Sequence, residues 1–576
     1  MKNISVPFSW PIQENVLDED RPLRIEQYPV NPMNPCEPLH IGLFKDIVMF
    51  GEKEREYWFY LPQNREMSSR TVLIFCGSKG VIELLEEGYQ AALEKNGCVG
   101  VFLNTSGEWD YTNIEQELSW CWDCYRCITD GEFFVSSGVS VIGDDGGTEI
   151  AALFALLHND IVASFAVFNE CNLSAELLQF VGNLPSDKQL NRKKEQTVIS
   201  AWIFGKSVAE DELLRYLKRN YKDEEFEDKY SRIWKTDNPR RWKLNDPGQA
   251  ELRYSVINKY KDWQQQDKLE RVISFLNSYK KIGGIEDGYI AKKVRTKDME
   301  LIECSENIGG VLRKWYLYIP EVVKDHPELQ YPVVVAVHGF SGSGITYAED
   351  SGWIHTAKER GFILVLPCAY PIYRKDPDRR LKRVLPTPVW NTIPGGEKNS
   401  IDDIQYMESV LSYIQERYPV DRTRIYATGH SNGARMVQTW MRYLPERFAA
   451  FATIGSMEGI VAVPQEMKDS VIRPCWFFMG EYDLGDADRL EEGNSNDLTI
   501  RNVCRTDHAD YDNRQEYCCG RYKHYVMYND KKIPFVRFTS IEKMYHSVLP
   551  EMNELIYDEF FCKFQRLTDG QICYQG

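Results

Sequence analysis

A serine flanked by two glycines is the residue in this sequence best placed to act as a nucleophile. The segment Gly429-His430-Ser431-Asn432-Gly433 has the spacing G-x-S-x-G. The β-branched run before it predicts a strand, and the residues from Asn432 onward predict a helix. A sharp strand-to-helix turn holds such a hydroxyl clear of the sheet, and the helix N-terminus behind it favours developing negative charge. The segment therefore predicts Ser431 as an attacking hydroxyl.

A serine hydroxyl is weakly nucleophilic unless a base takes its proton and a carboxylate orients that base. Asp483 follows the predicted strand Pro474–Met479. Its carboxylate is expected just beyond the carboxyl end of that strand, where catalytic groups gather in open α/β sheets. Asp483 is the predicted acid, with Asp486 and Asp488 as close rivals.

Three histidines follow this carboxylate, and His546 is the predicted base. It lies just after the apolar strand Ile533–Ile541 and before the last predicted helix, so a loop can carry its imidazole over the serine. His508 and His524 fall in a long polar segment and are predicted to be surface or lid residues.

An acyl oxygen that becomes negatively charged during attack needs two N–H donors. The backbone amide of Asn432, directly after the nucleophile, is the first predicted donor. The second is expected from the glycine-rich loop 338–344, with the backbone amide of Phe340 as the donor. His338 at the start of this loop is interpreted as a structural hydrogen-bonding residue.

These residues can meet only if the elements between them form a sheet. The C-terminal half alternates predicted strands and helices, and runs such as Pro332–Val337 are almost continuously β-branched. Strands of this kind are buried on both faces. The pattern predicts a mostly parallel sheet with helices on both faces.

The N-terminal half repeats this order of elements. Thr71–Phe75 followed by Cys76-Gly77 parallels Val333–Val337 followed by His338-Gly339, and Gly143-Asp144-Asp145-Gly146-Gly147 takes the place of the serine motif. The repetition predicts an internal duplication. The alternative is that any two α/β domains share such an order.

Asp145 therefore stands where the second half has Ser431. No histidine follows Lys206 until His326, which belongs to the second half, so the first copy lacks a base. It is predicted to be a non-catalytic domain that acts as a scaffold or binds substrate. The predicted divisions are a degenerate domain over 1–221, a charged helical linker over 222–285, and a catalytic domain over 286–576 with a lid-like insertion at about 484–534.

Length and charge restrict the class of protein. A chain of 576 residues exceeds the size of a single core and favours two domains. The net charge of −17 argues against nucleic acid and anionic membranes as partners. The sequence has no apolar run of ~18 residues and no signal-like start, which predicts a cytoplasmic protein. A secreted protein whose leader has been removed is the alternative.

The 15 cysteines are scattered and several lie in apolar segments, which favours buried reduced thiols and hence the cytoplasm. The secreted alternative has five candidates for disulfides: Cys504, Cys518, Cys519, Cys562 and Cys573. The spacing Cys121-x-x-Cys124-x-x-Cys127 is interpreted as helix packing rather than a metal site, because a fourth ligand is missing.

Several motifs together resemble one group of enzymes. They are His338-Gly339 after a strand, Trp390-Asn391, Asp402-Asp403 before a helix, the serine motif, Gly480-x-x-Asp483, and Tyr545-His546 ahead of Phe560-Phe561. On these motifs, residues from about 290 to 576 resemble the polyhydroxybutyrate depolymerases and feruloyl esterases, that is, carbohydrate esterase family one and its relatives. The N-terminal half looks like a degenerate copy of the same fold.

The resemblance implies two α/β-hydrolase-like domains in tandem and a triad of Ser431, Asp483 and His546. It also implies hydrolysis of carboxylic esters with no cofactor and no metal. Characterised relatives cleave hydroxycinnamoyl or acetyl groups from plant polysaccharides, or short hydroxyacyl polyesters.

The expected function is therefore that of a serine esterase acting on an acylated sugar, a hydroxycinnamoyl ester or a short hydroxyacyl ester through an acyl-enzyme on Ser431. One alternative is a serine peptidase of the prolyl-oligopeptidase type, although the N-terminal half lacks the repeated short strands of a propeller. The other is a non-catalytic ligand-binding protein. The expected partner is a small-molecule or saccharide ester, and self-association into a homo-oligomer is left open.

Overall fold

A computed structural model of the protein describes most of the chain. It covers residues 13–14, 42–63, 69–104, 107–129, 138–183, 198–222, 225–236, 250–257, 265–282, 289–294, 298–375, 384–393, 401–457, 471–483 and 490–576. The buried apolar side chains of these residues form two clusters. One spans Leu43 to Ile290 and the other spans Ile282 to Phe564. Each cluster packs around its own sheet.

The described residues of the first half form an eleven-stranded mixed sheet. Its strands are β1 (Gln13–Glu14), β2 (Gly42–Phe50), β3 (Lys53–Leu61), β4 (Thr71–Phe75), β5 (Val99–Leu103), β6 (Val139–Gly143), β7 (Val162–Val167), β8 (Ser200–Gly205), β9 (Glu225–Glu227), β10 (Arg232–Lys235) and β11 (Glu251–Val256). Across the sheet they lie in the order β1-β2-β3-β5-β4-β6-β7-β8-β11-β10-β9.

A hairpin of β12 (Tyr279–Ile282) and β13 (Tyr289–Lys292) leads from the first half to the second. The second sheet has ten strands among the described residues, in the order β14-β15-β17-β16-β20-β21-β22-β25-β24-β23. They are β14 (Ile302–Ile308), β15 (Val311–Tyr318), β16 (Tyr331–Val337), β17 (Ile363–Pro367), β20 (Val420–His430), β21 (Ala450–Ile454), β22 (Cys475–Gly480), β23 (Gln515–Cys519), β24 (Tyr522–Met527) and β25 (Val536–Ile541). Two small hairpins complete the strands: β18 (Pro371–Lys375) with β19 (Val384–Pro388), and β26 (Phe564–Arg566) with β27 (Ile572–Tyr574).

The two large sheets share one strand order and one set of directions. Leaving β1 aside, each begins with two antiparallel strands, continues with six parallel strands and ends with two antiparallel strands. In the first sheet the parallel strands are β5-β4-β6-β7-β8-β11. In the second they are β17-β16-β20-β21-β22-β25. The predicted fold class, two α/β-hydrolase-like domains in tandem, is confirmed. The common order is what an internal duplication produces, and the duplication itself stays a prediction.

Helices cover both faces of these sheets. The α-helices of the first half are α1 (Val81–Leu84), α2 (Gln90–Asn96), α3 (Ile114–Thr129), α4 (Thr148–Leu157), α5 (Ala175–Asn183), α6 (Glu212–Lys218) and α7 (Gln265–Leu276), with a π-helical turn at Leu85–Tyr89. Those of the second half are α8 (Glu321–Asp325), α9 (Gly344–Ser351), α10 (Trp353–Arg360), α11 (Asp403–Arg417), α12 (Asn432–Tyr443), α13 (Ser495–Thr506) and α14 (Glu551–Glu559). Short 3-10 turns lie at Tyr111–Asn113, Asp145–Gly147, Pro445–Arg447 and Phe561–Lys563. No helix of the described residues is long and apolar enough to cross a bilayer.

Two predicted segments are corrected by the sheets. The predicted helical linker over 222–285 contains three strands of the first sheet, β9 to β11, as well as helix α7 and strand β12. The predicted lid-like insertion at about 484–534 also supplies two sheet strands, β23 and β24, at the same edge of the second sheet, besides helix α13. Each segment therefore contributes the antiparallel strands that end its sheet. Edge strands of this kind carry charged residues without leaving the sheet.

The three cysteines of the C-x-x-C-x-x-C spacing lie on one packed helix. Cys121, Cys124 and Cys127 are buried on α3, in keeping with the interpretation of helix packing. Burial raises the pKa of the Cys121 and Cys124 thiols well above the usual range. All the described cysteines are free thiols, and nine of them are buried.

Candidate active site

Ser431 lies at the turn between β20 and α12, as the sequence predicts. Its backbone has φ 56° and ψ −119°, a conformation that L-residues rarely adopt. The flanking glycines are required by close packing. A Cβ on Gly429 would lie 2.6 Å from the carbonyl oxygen of Gly433, and a Cβ on Gly433 would lie 2.4 Å from that of His338. The strained turn therefore depends on both glycines of the motif.

The structure brings the three predicted catalytic side chains together. The Ser431 hydroxyl lies 2.7 Å from Nε2 of His546, and Nδ1 of the same ring lies 2.6 Å from Oδ1 of Asp483. Because an ionised carboxylate only accepts hydrogen bonds, Nδ1 carries the proton and Nε2 is free to accept from the hydroxyl. The Asp483 side chain is fully buried, while that of His546 is 31% exposed. This geometry can pass a proton from the serine to the imidazole.

The other candidates lie elsewhere. His508 is exposed after α13. His524 is buried on β24, where Nδ1 lies 2.8 Å from Oγ1 of Thr539, so the prediction of a surface or lid position was wrong for it. Burial lowers its pKa to about 4. The rival acids Asp486 and Asp488 lie outside the described residues.

The loops that carry the acid and the base are bonded to each other. The backbone N–H of Tyr482 donates to the carbonyl of Met544 at 2.9 Å, and that of Glu481 donates to Ile541 at 2.9 Å. A Cβ on Gly480 would lie 2.4 Å from the carbonyl oxygen of Met544. The Gly480-x-x-Asp483 motif therefore presses the acid loop against the loop that ends in the base.

The predicted oxyanion loop follows β16 and is held by its histidine. His338 is almost fully buried; Nδ1–H donates to the carbonyl of Gly339 at 2.7 Å, and Nε2 accepts from the N–H of Ala369 at 3.0 Å. Both ring nitrogens are thus engaged, and burial lowers the pKa of His338 to about 4. This supports the interpretation of a structural histidine. Phe340, the predicted donor, lies two residues further on and is 39% exposed.

Trp390 links this loop to the nucleophile turn. Its indole Nε1–H donates to the carbonyl of His338 at 2.9 Å, and its backbone N–H donates to the side chain of Asn432 at 2.8 Å. The two residues proposed as oxyanion donors, Phe340 and Asn432, therefore lie on segments that one tryptophan joins.

A buried ion pair, which the sequence analysis did not predict, holds the chain next to Trp390 through the backbone of Asn391. Arg313 and Asp403 are 1% and 0% exposed, with Nη2 of the arginine 2.6 Å from Oδ1 of the carboxylate. Oδ2 of Asp403 accepts from the backbone N–H of Asn391 at 2.7 Å. Burial raises the pKa of Asp403, although Arg313 opposes the shift. The sequence contained an indication of this pair. Arg313 alternates with Trp315 and Leu317 along β15 and so lies on the same buried face, where a charged side chain needs a partner.

His430, inside the serine motif, is a second residue that the sequence left without a role. Its ring centroid lies 4.8 Å from that of His546. Burial, and then the nearby His546, lower its pKa to about 3, so the ring is neutral at physiological pH. A neutral ring avoids like-charge repulsion when His546 accepts a proton.

A cavity of about 480 Å³ opens beside these groups. Its lining includes Gly339, Phe340, His430 and His546 from the second half. Other lining residues come from the first half and from the β12–β13 hairpin. Of the proposed catalytic side chains, His546 lines this space of ligand size together with residues of the first half.

The first half has a turn of the same backbone shape, with Asp145 at the position of Ser431. Asp145 has φ 50°, close to the value of Ser431. Its Oδ2 accepts from the backbone N–H and hydroxyl of Ser78, at 2.5 and 2.7 Å, and from the N–H of Lys79 at 3.2 Å. Partial burial opposes ionisation of Asp145, but these hydrogen bonds outweigh it and lower the pKa. The amides of the loop after β4 are thus occupied by the carboxylate of the same domain.

Comparisons with known proteins give relatives at low identity. The chain is 29% identical over 141 residues to acetylxylan esterase A of Aspergillus awamori, which covers 24% of this chain and 41% of that protein. It is 28% identical over 154 residues to acetylxylan esterase A of Talaromyces purpureogenus, covering 27% and 35%. The chain thus spans less than half the length of these curated relatives. No family model matches it.

Among solved structures, the acetyl xylan esterase of Aspergillus awamori aligns with a TM-score of 0.34 and 15% identity, over 45% of this chain and 99% of that one. The feruloyl esterase module of Clostridium thermocellum aligns with a TM-score of 0.31 and 14% identity, over 46% and 87%. Likenesses of this size do not bear on function.

Proposed function

We propose that the protein is a serine esterase that cleaves carboxylic esters through an acyl-enzyme on Ser431. The observation that carries the proposal is the unbroken series of contacts from Asp483 through His546 to the Ser431 hydroxyl. A hydroxyl with such a base can attack at neutral pH, whereas an isolated serine cannot.

In the proposed cycle the Ser431 oxygen attacks the ester carbonyl while Nε2 of His546 takes the hydroxyl proton. The carbonyl oxygen becomes an oxyanion that accepts from the amides of Phe340 and Asn432. When the oxyanion collapses, the bond to the alcohol breaks and His546 gives the alcohol its proton. Water then attacks the acyl-enzyme by the same route, which releases the acid and restores Ser431.

Asp483 is assigned the role of holding the imidazole in one tautomer and stabilising its charged form. The low-identity relatives named acetylxylan esterases favour an acylated saccharide as the substrate, with acetyl or hydroxycinnamoyl as the acyl group. The prolyl-oligopeptidase alternative loses its architectural support, because the described first half builds one mixed sheet rather than a propeller.

The test is active-site labelling together with a hydrolysis assay. A fluorophosphonate probe should label the wild type and leave Ser431→Ala unlabelled. p-Nitrophenyl acetate should be cleaved by the untreated wild type, and neither by Ser431→Ala nor by the wild type once it is labelled. Asp483→Asn should reduce kcat by about 10³–10⁴-fold. Its matched control is Asp211→Asn, the carboxylate after β8 in the first half, which caps α6 and tolerates asparagine.

An unlabelled wild type would favour the non-catalytic alternative. Cleavage of a Gly-Pro anilide in preference to the acetyl ester would favour the peptidase.

A further inference from the structure

The cavity that His546 lines has a basic wall, defined by Arg70, Lys280, Lys281 and Lys293. None of these residues comes from the catalytic sheet. Arg70 directly precedes β4 of the first sheet, two lysines lie on β12, and Lys293 directly follows β13. The fold thus brings cations from outside the second sheet into the same cavity as the proposed base His546.

Arg70 is buried in this wall with part of its hydrogen-bonding capacity unused. It is 3% exposed, and Nη2 donates to the carbonyl of Tyr279. Its Nε has no hydrogen-bond partner among the described residues. Burial lowers the pKa of Arg70, although Cys98, Glu349 and Asp350 oppose the shift. A buried donor without a partner is costly, so this guanidinium is poorly compensated within the protein.

The lysines of the wall are held close to the cavity. Nζ of Lys280 donates to the carbonyl of Glu349, and Nζ of Lys281 donates to that of Val198 at 3.0 Å. The Lys280 side chain is 11% exposed. Burial lowers the pKa of Lys293 although two acidic residues, Glu349 and Asp350, oppose the shift.

Carboxylates also line the cavity, one fewer than the cations, and Glu349 and Asp350 act on Arg70 and Lys293. The carboxylates are Asp160, Glu349 and Asp350, against four cations. Oδ1 of Asp350 lies 3.8 Å from Nζ of Lys280, but the Asp350 side chain is 74% exposed, so water screens its charge. A cation excess in a chain whose net charge is −17 is a local arrangement rather than a consequence of composition.

We propose that the basic wall binds an anionic group on the substrate, so that the enzyme prefers esters carrying a carboxylate remote from the ester bond. This inference rests on the proposed esterase function and names its substrate class. Arginine and lysine in a partly dry site bind carboxylates through charge-assisted hydrogen bonds. The first half then has a role in catalysis without a triad of its own: it supplies the binding wall.

The test compares paired esters that differ in one charge. p-Nitrophenyl half-esters of dicarboxylic acids, from succinate to azelate, are compared with alkanoates of equal chain length, which places the charge on the acyl side. 4-Acetoxybenzoate is compared with 4-acetoxybenzamide, which places it on the alcohol side. The ratio of kcat/KM within each pair is the measurement.

The wild type should prefer the charged member of at least one pair by about tenfold or more. Lys293→Gln and Lys280→Gln should each reduce that preference about tenfold, with folding checked by circular dichroism. The matched control is Lys292→Gln: it removes the same charge from the neighbouring position, whose side chain is exposed, and should keep the preference.

A wild type with no preference in any pair would overturn the inference, as would variants that lower both members of a pair equally. Either result would leave the esterase proposal standing. Hydrolysis of neither member, with no fluorophosphonate labelling, would instead overturn the proposed function.

Discussion

A Cβ on Gly455 would lie 3.2 Å from both Nδ1 and Cε1 of the His546 ring, and 3.3 Å from Oδ2 of Asp483. Gly455 follows β21 with φ +72° and therefore borders the contact between acid and base. Glycine is favoured at this position because its φ is positive and because the acid and the base leave little room for a Cβ.

We expect Gly455→Ala to reduce kcat by about 10- to 100-fold, because the methyl group displaces the imidazole from Ser431. Gly493→Ala is the matched control, since Gly493 has φ +83° and a Cβ there would meet no atom of the described residues within 4 Å. Both variants should lose about 1 kcal/mol of stability from the backbone. Equal kcat values for the two would show that crowding at His546 has no effect.

The Arg313–Asp403 pair should matter for stability as well as for the site. Asp403→Asn leaves a buried guanidinium without its counter-ion, and we expect a loss of about 3 kcal/mol in urea unfolding. Asp558→Asn, which breaks the half-exposed pair with Arg360, should cost less than about 1 kcal/mol.

The double variant Arg313→Met with Asp403→Leu separates the two roles of the pair. It should be more stable than Asp403→Asn because no unpaired charge remains. Its kcat should stay low, because Asn391 has lost the acceptor of its backbone N–H and Trp390 is no longer fixed. Recovery of both stability and kcat would show that the pair does not position the oxyanion loop.

Asp507 should make the protein less stable as the pH rises. Burial raises its pKa to about 7, although Arg473 and Arg566 oppose the shift. The folded state therefore holds this proton more tightly than the unfolded state. The contribution of Asp507 to the free energy of unfolding is complete below about pH 4 and is lost as the pH rises to 7, by at most about 4 kcal/mol. Asp507→Asn should raise Tm at pH 8 and change it little at pH 4.5, as measured by calorimetry. A Tm difference that is the same at both pH values would contradict this.

The first half should not gain activity when its nucleophile position is restored. Asp145→Ser in a Ser431→Ala background recreates the spacing G-x-S-x-G, but the sequence offers no histidine between Lys206 and His326 to act as a base. We expect no fluorophosphonate labelling at residue 145, read by mass spectrometry of the labelled peptide. Labelling there would show that another group supplies the base.

The local chain was enough to place the proposed catalytic residues. Ser431 follows from a strand, two glycines and a helix in one continuous stretch of the chain, Val420–Tyr443. Asp483 and His546 each follow an apolar strand, and the carboxyl ends of parallel strands meet at one edge of a sheet. These are short-range patterns, so they can be recognised in the sequence without knowledge of the tertiary packing.

The edge hairpins show where such patterns fail. The side chains of β23 (Gln515–Cys519) are all exposed, so the strand has no buried face to mark its period, and its charge suggested a lid. In the same way β9 and β10 were read as part of a helical linker. Pairing with a neighbouring strand, rather than the segment's own residues, makes these segments sheet.

The sequence by itself determined the order of the central strands and helices, the serine turn and the three side chains proposed to meet there. Only the tertiary structure decided what faces them. Lys280 lies beside Glu349, and Arg313 beside Asp403, through contacts between residues far apart in the chain, which no local period encodes. Burial of a charge is set by whatever packs around it, and for the basic wall that surface belongs to both halves of the protein.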